Sequence, residues 1–312
     1  ASKASEVLGV FLKGKAIPED GSWIEIIGRA GTIAELEQLH SQLIGGEYSQ
    51  DGQSRALNSM SFASRNRNIK PNVDKSSISK FFSSDNEQVK IAALSLAGTW
   101  KGLGDAFKEL VSLARAKDLP PNVRQASIDT IREIGGDKAL QILSLISKSP
   151  QMKTRIMSVE ALALLDINQG APLAIQLLNE LKSEQEALVF WRSLLQIKNS
   201  ELALVKELPE NGFSQSSAKA GLRAIREGGR NMQTLILALP RSSGLKDEDI
   251  TLSKSEIMAL SKLVNKSGDP IKGEMVYRKL ELGCVSCHAI GGAGGKVGPD
   301  LTSIGASAPL DY

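Results

Sequence analysis

Apolar residues recur three and four positions apart in segment after segment of this chain, the period of amphipathic helices, with polar starts and Gly or Pro breaks between them. From about residue 85 to 240 the pattern repeats itself. The segments "NEQVKIAALSLAGTW" (86–100), "PNVRQASIDTIREIGGDKALQILSLI" (121–146), "QMKTRIMSVEALALLDINQGAPLAIQLLNEL" (151–181), "EQEALVFWRSLLQI" (184–197) and "SSAKAGLRAIREGGRNMQTLILAL" (216–239) can be laid over one another. Ile134, Leu164, Ile197 and Ile225 then take equivalent places, at spacings of roughly thirty residues. The clearest internal echo is "TIREIGG" (130–136) against "AIREGG" (224–229).

One amphipathic helix pair cannot cover its own apolar face, whereas stacked pairs bury a continuous core between them. The pattern therefore predicts an α-solenoid, and it resembles HEAT repeats, a likeness of pattern in which no single position is diagnostic. "WIEIIGRAGTIAELEQLHSQLIGG" (23–46) and "SRALNSMSFASRN" (54–66) read the same way and extend the repeat region over residues 1–239. After Leu239 the pattern changes. "PRSSGLKDEDITLSK" (240–254) mixes Pro, Gly, Ser and acids as an exposed connector does, and a second domain is expected over 255–312. Its best-marked helix is "DPIKGEMVYRKLELG" (269–283), with Asp269 as N-cap, Pro270 at the first helical position and Gly283 at the stop.

Composition supports an all-α chain. Of the 312 residues 41% are hydrophobic but only 4% are Phe, Trp or Tyr, so Leu, Ile and Ala carry the core, a balance favouring helix over strand. The 38 basic and 35 acidic residues are mixed along the chain, without the cationic face that phosphate neutralisation needs, so nucleic acid is not an expected partner. No apolar run approaches the roughly 20 residues of a membrane span. The chain starts "ASKASEVLGVF", which reads as a processed product or an excised piece.

Candidate chemistry is concentrated in one place. Both cysteines of the chain and one of its two histidines lie in "CVSCH", Cys284, Cys287 and His288, a spacing that reads as a c-type haem attachment site. Two thiols one helical turn apart reach the two vinyl groups on one edge of a porphyrin, and the next residue brings its imidazole to the iron. Other readings compete. A structural zinc needs four ligands, and the remaining histidine, His40, lies far upstream on a repeat helix. A thioredoxin-like redox pair belongs to a βαβ pattern, and none is visible. "GGAGG" (291–295) has no preceding strand and reads as a flexible loop, not a nucleotide cradle.

The flanks of the motif are similar to the start of a monohaem cytochrome c domain: "GDPIKGEMVYRKLELGCVSCHAIGGAGGKVGPDLTSIG" carries Gly273, Val276 and Tyr277 before the attachment residues, and Gly298, Pro299, Asp300 and Leu301 after them. Repeats, connector and this stretch together resemble the haem-binding module near the end of large bacterial multidomain proteins classed as membrane-bound dehydrogenases. The close resemblance covers 268–306. It implies one covalent haem c, with His288 as axial iron ligand, Pro299 offering its carbonyl to His288 Nδ1, and Tyr277 and Leu301 packed near the porphyrin. Lys296 could meet a propionate but reads as a solvated loop charge.

A six-coordinate cytochrome needs a second axial ligand, usually a downstream Met. None of the six Met residues follows His288, and Met275, the nearest, reads as packed against a neighbouring helix. With "ASAPLDY" taken as the start of a further helix, the cytochrome c-like domain is expected to be incomplete. The resulting expectation is electron transfer through one haem c on a helical-repeat scaffold, with a redox partner protein or an upstream dehydrogenase domain, in an extracytoplasmic setting such as a bacterial periplasm. No catalytic nucleophile is found. The alternatives are an interaction scaffold with an empty haem motif and a haem enzyme with an open iron position.

Overall fold

The computed structural model describes residues 8, 10, 12, 15–101, 103–228, 232–246, 254–279 and 282–307. Its contacts divide the chain into two units, Ala1–Ala174 and Ile175–Tyr312.

The first unit holds α1 (Trp23–Ala30), α2 (Ile33–Gly45), α3 (Gln50–Arg67), a 3₁₀ helix (Lys75–Ser83), α4 (Glu87–Trp100), α5 (Phe107–Arg115), α6 (Pro121–Ile134), α7 (Gly136–Ile146) and α8 (Met152–Leu165). At α3, the 3₁₀ helix and α4 a short polar side chain, Ser49, Asp74 or Asn86, starts the helix by accepting N–H groups that lack intrahelical partners. Asn86 Oδ1 takes the amides of Gln88 and Val89 at 2.9 and 3.2 Å, and Glu35 reaches back to the Thr32 amide at 2.7 Å. Helices α1, α3, α4, α6 and α8 pack each on the next, while α5 and α7 pair with them as a second row. Leu36 and Leu39 of α2, Leu57 and Met60 of α3, and Ile78 and Phe82 of the 3₁₀ helix are fully buried, each worth about 1.5–3 kcal/mol relative to exposure.

Buried polar groups are used to join successive helices, as the cost of leaving them unpaired requires. Thr130 Oγ1 donates to the Leu94 carbonyl at 2.8 Å, and the Trp100 indole donates to Ser64 Oγ at 3.0 Å. Arg65 on α3 crosses α4, donating to Thr99 Oγ1 at 2.8 Å and Ser95 Oγ at 3.1 Å, and ends on Glu133 of α6 at 2.9 Å. Gly98 makes room for that crossing: a Cβ there would lie 2.7 Å from Glu133 Oε2.

In the second unit α10 (Glu184–Leu195), α11 (Ser200–Glu207), α12 (Gln215–Gly228) and α13 (Gln233–Ser243) repeat the arrangement, α10 on α12 and α11 on α13; α9 (Ile167–Glu180) precedes them. The fully buried Trp191 donates from its indole to the Ser217 carbonyl at 2.8 Å. Glu227, the counterpart of Glu133 in the sequence echo, accepts from Arg192 of α10 at 2.7 Å and from Arg223 one turn back at 2.9 Å. The echo thus marks a carboxylate that ties one repeat helix to an earlier one.

The fold departs from the sequence reading in details of phase and length. Leu164 is 55% exposed, because Val159 and Leu162 already face the core and a residue two positions beyond Leu162 points away from it. Ile197 lies past the end of α10. Helix α13 continues through Pro240 to Ser243 and closes on the left-handed Gly244, so the repeat pattern runs beyond Leu239; residues 247–253 of the expected connector lie outside the described residues.

The remaining elements are α14 (Lys254–Ser267), α15 (Pro270–Tyr277), α16 (Cys284–Cys287), β1 (Ala289–Ile290), β2 (Ala293–Gly294) and α17 (Ile304–Ser307). Asp269 caps α15 as its position predicts, accepting from Ile271 and Lys272 at 3.0 and 3.1 Å. The helix is shorter than expected: it stops at Tyr277, and Gly283, with φ +73°, opens α16 instead. "GGAGG" is not a free loop. β1 and β2 pair antiparallel, Ala289 with Gly294 and Ile290 with Ala293, and the turn between them is Gly291-Gly292, both at positive φ, the conformation a two-residue hairpin demands.

Candidate functional site

Cys284 and Cys287 stand at the two ends of α16, a single turn, and are free thiols, Cys284 half-buried and Cys287 exposed. The backbone leaves the turn in extended geometry at His288, whose amide still donates to the Cys284 carbonyl at 3.0 Å. His288 is half-buried. Its Nδ1 lies 2.9 Å from the Pro299 carbonyl oxygen. A carbonyl only accepts, so Nδ1 carries the hydrogen and the Nε2 lone pair is left for another partner. The imidazole rests on Gly298, where a Cβ would come within 2.4 Å of the ring.

Further residues hold this arrangement. The Tyr277 hydroxyl donates to the His288 carbonyl at 3.1 Å, and the Leu301 amide to the Ala289 carbonyl at 2.8 Å. Arg278, paired with Glu274 at 2.7 Å, donates to the Ile290 carbonyl at 3.3 Å. Asp300 accepts from the Thr302 amide at 2.8 Å and from its hydroxyl, and the same hydroxyl oxygen accepts the Gly291 amide at 2.8 Å. Those bonds from Thr302 hold the Asp300 carboxyl below its ordinary range.

The structure thus brings together Cys284, Cys287, His288, Pro299, Leu301 and Tyr277, all named from the sequence. It adds Arg278, Gly298 as a contact surface, and Thr302. Only the D-x-T spacing of Asp300 and Thr302 could have signalled the last of these, since that spacing favours a side-chain bond to the backbone two residues on. Lys296 is exposed. Met275 corrects an expectation: it is 67% exposed on α15 rather than packed against a neighbour. Leu310 and Tyr312, read as the start of a further helix, lie outside the described residues.

His40 belongs to the first unit's interior. It is 7% exposed, its Nε2 lies 2.8 Å from Ser77 Oγ, and its ring sits 6.1 Å from that of Trp100. Ser77 gives its hydroxyl hydrogen to the Asp74 carbonyl, so His40 donates from Nε2 and its role is structural. Burial lowers its pKa, against the opposing influence of Asp74.

The donor set can be tested against the cofactor that the resemblance implies. Two thiols outside any disulfide and one turn apart, with a following imidazole whose Nδ1 is held by a carbonyl, match what haem c asks of a chain. Among the described residues of 254–307 only Ala289 is buried, while Met258, Leu263, Ile271, Val276, Val297 and Ile304 are exposed. A zinc site is a poorer fit: among the described residues no group of three or more His, Cys, Asp and Glu is placed to hold a metal ion, and structural zinc takes four.

A cavity of about 340 Å³ lies just before the motif, lined by Arg192, Leu195, Ile225, Glu227 and Met232 of the repeats and by Leu282 and Gly283. The Arg192–Glu227 pair occupies its polar side.

In comparison with known proteins, residues 77–163 match the family model for HEAT repeats, a span reaching from within the 3₁₀ helix to near the end of α8. No curated protein and no solved structure matches the chain.

Proposed function

We propose that this chain carries one haem c and passes single electrons through it, with the helical repeats as the scaffold. The observation that carries the reading is the His288 Nδ1–Pro299 bond of 2.9 Å beside two free thiols one turn apart. Cys284 and Cys287 would hold the group through their sulfurs, and His288, with its hydrogen on Nδ1, would offer Nε2 to it. Pro299 fixes the imidazole tautomer and makes the ring a stronger donor. Tyr277 and Leu301 pin the backbone on either side of the ring. When bound, haem supplies a one-electron couple whose potential follows ligand basicity and exposure.

His40 is not among the residues that would hold the group, since its Nε2 is taken by Ser77. By the resemblance, the electron comes from a dehydrogenase domain or another redox protein, and the setting is extracytoplasmic, as in a bacterial periplasm. The exposed, cysteine-bearing end of the chain suits such exchange.

The test is the full chain produced in a host that matures c-type cytochromes. Reduced and treated with pyridine, it is expected to show one haem c per chain and no titratable thiol. Two reactive thiols, or zinc in place of haem, would overturn the reading.

A second role rests on the HEAT-repeat match. Repeats of this kind bind proteins along their stacked helices, and a cleft of about 240 Å³ lined by Arg65, Ser95, Asp129, Arg132 and Glu133 offers mixed charge for such a contact. Co-purification that is lost on reversing the Arg65 charge would place a partner there.

A further inference from the structure

The segment after the attachment turn runs beside the Gly298–Thr302 segment in parallel register. The Gly298 amide meets the Cys287 carbonyl at 2.7 Å, His288 Nδ1 meets the Pro299 carbonyl at 2.9 Å, the Leu301 amide meets the Ala289 carbonyl at 2.8 Å, and the Gly291 amide meets Thr302 Oγ1 at 2.8 Å. Two of these contacts join backbone to backbone, and one is made by the imidazole itself. The fourth depends on the hydroxyl of Thr302.

Thr302 has one hydroxyl hydrogen, and Asp300 accepts it. That choice turns an oxygen lone pair toward the Gly291 amide, which lies on the outside of the hairpin turn. The latch closes the far end of the parallel run, and Pro299 lies between it and the attachment turn. A carbonyl held at both ends points in one direction, and this one points at the imidazole.

We infer that Thr302, oriented by Asp300, is a positioning residue for the His288 imidazole, acting through the Gly291 amide and the Pro299 carbonyl. Its consequence for iron rests on the haem reading above; its consequence for the ring does not. In the metal-free chain, the latch keeps the Nδ1 hydrogen on Pro299 and slows its exchange with water. In the haem-loaded chain it keeps the imidazole a strong donor and the reduction potential low.

Two measurements test this. In the metal-free full chain, ¹⁵N NMR of the imidazole reads the Nδ1–H exchange rate. Thr302→Val should speed it about tenfold, the factor that one hydrogen bond is worth, while Thr302→Ser, which keeps the hydroxyl, should stay near the unmodified rate. Asp300→Asn should move exchange in the same direction by less, and it decides the matter if the Val variant does not fold. In the haem-loaded chain, Thr302→Val should lower the iron–imidazole stretching frequency and raise the potential, with Ser restoring both.

Exchange and stretching frequency unchanged in a folded Thr302→Val chain would overturn the latch while leaving haem attachment intact. A matured chain that takes no haem, yet shows the exchange effect, would sink the electron-transfer reading and keep the latch.

Discussion

His288 and His40 show how one side-chain type is put to different ends by its surroundings. His40 is buried among apolar helices with Ser77 as its partner, and burial lowers its pKa below the ordinary 6.5, with Lys80 acting the same way and Asp74 against. A histidine held neutral in the folded state takes up protons more readily when unfolded, so its stability contribution is complete above about pH 6.5 and is lost as pH falls through the lower folded value. Chemical unfolding at pH 7.5 and pH 5.5 should show a lower midpoint in acid, and His40→Gln should shrink that difference. At His288 the limiting contact is steric. A Cβ on residue 298 would stand 2.4 Å from Cε1 of the ring, so Gly298→Ala must move either the ring or the loop, at a cost of about 1–3 kcal/mol. The expected result is loss of the protected Nδ1 hydrogen in imidazole NMR spectra.

Between elements, the joining carboxylates matter more than their exposure suggests. Burial raises the Glu227 pKa, but the hydrogen bonds from Arg192 and Arg223 outweigh it and the net shift is downward. Such a group stabilises the fold above the ordinary carboxylate value of 4.5 and stops doing so as pH falls through its lower folded value. Glu227→Gln should therefore flatten the acid limb of a stability–pH curve and cost at most about 1 kcal/mol at neutral pH, since the pair is partly open to solvent. The sequence made the helices legible because the apolar period is local, and at Asp269 the cap is local too, accepting amides of the first turn. It could not set the phase of α8, where Leu162 and Leu164 look alike and only packing separates them. The hairpin at 289–294 escaped for a related reason, since strands of two residues carry no alternation to read. At the site, Cys284, Cys287 and His288 were legible from spacing and Pro299 through the resemblance to cytochrome c, whereas Arg278 and Thr302 act on backbone groups a dozen or so residues away, a reach that the short D-x-T spacing does not reveal.

At the scale of the whole chain, burial is unevenly shared. The repeats contribute the buried leucines, isoleucines and tryptophans, whereas 254–307 has Ala289 as its one buried residue among those described. Helices without a covered face are held weakly and open to cleavage. Brief digestion of the metal-free chain with trypsin should cut first within 254–307 and leave a repeat core, and haem loading should slow those cuts because a ligand bound only to the folded form stabilises it. Equal cutting rates with and without haem would disconnect the cofactor from the order of this segment.

The reach of Arg65 across α4 bears on how such an array can change over generations. When each unit touches only the next, a unit can be duplicated or dropped with little harm, and tandem arrays grow and shrink by that route. Here one guanidinium spans from α3 to α6 over a glycine that leaves it room. Inserting or losing a helix pair at that point would strand the cation, so this stretch should be inherited as a block of fixed length while copy number varies elsewhere.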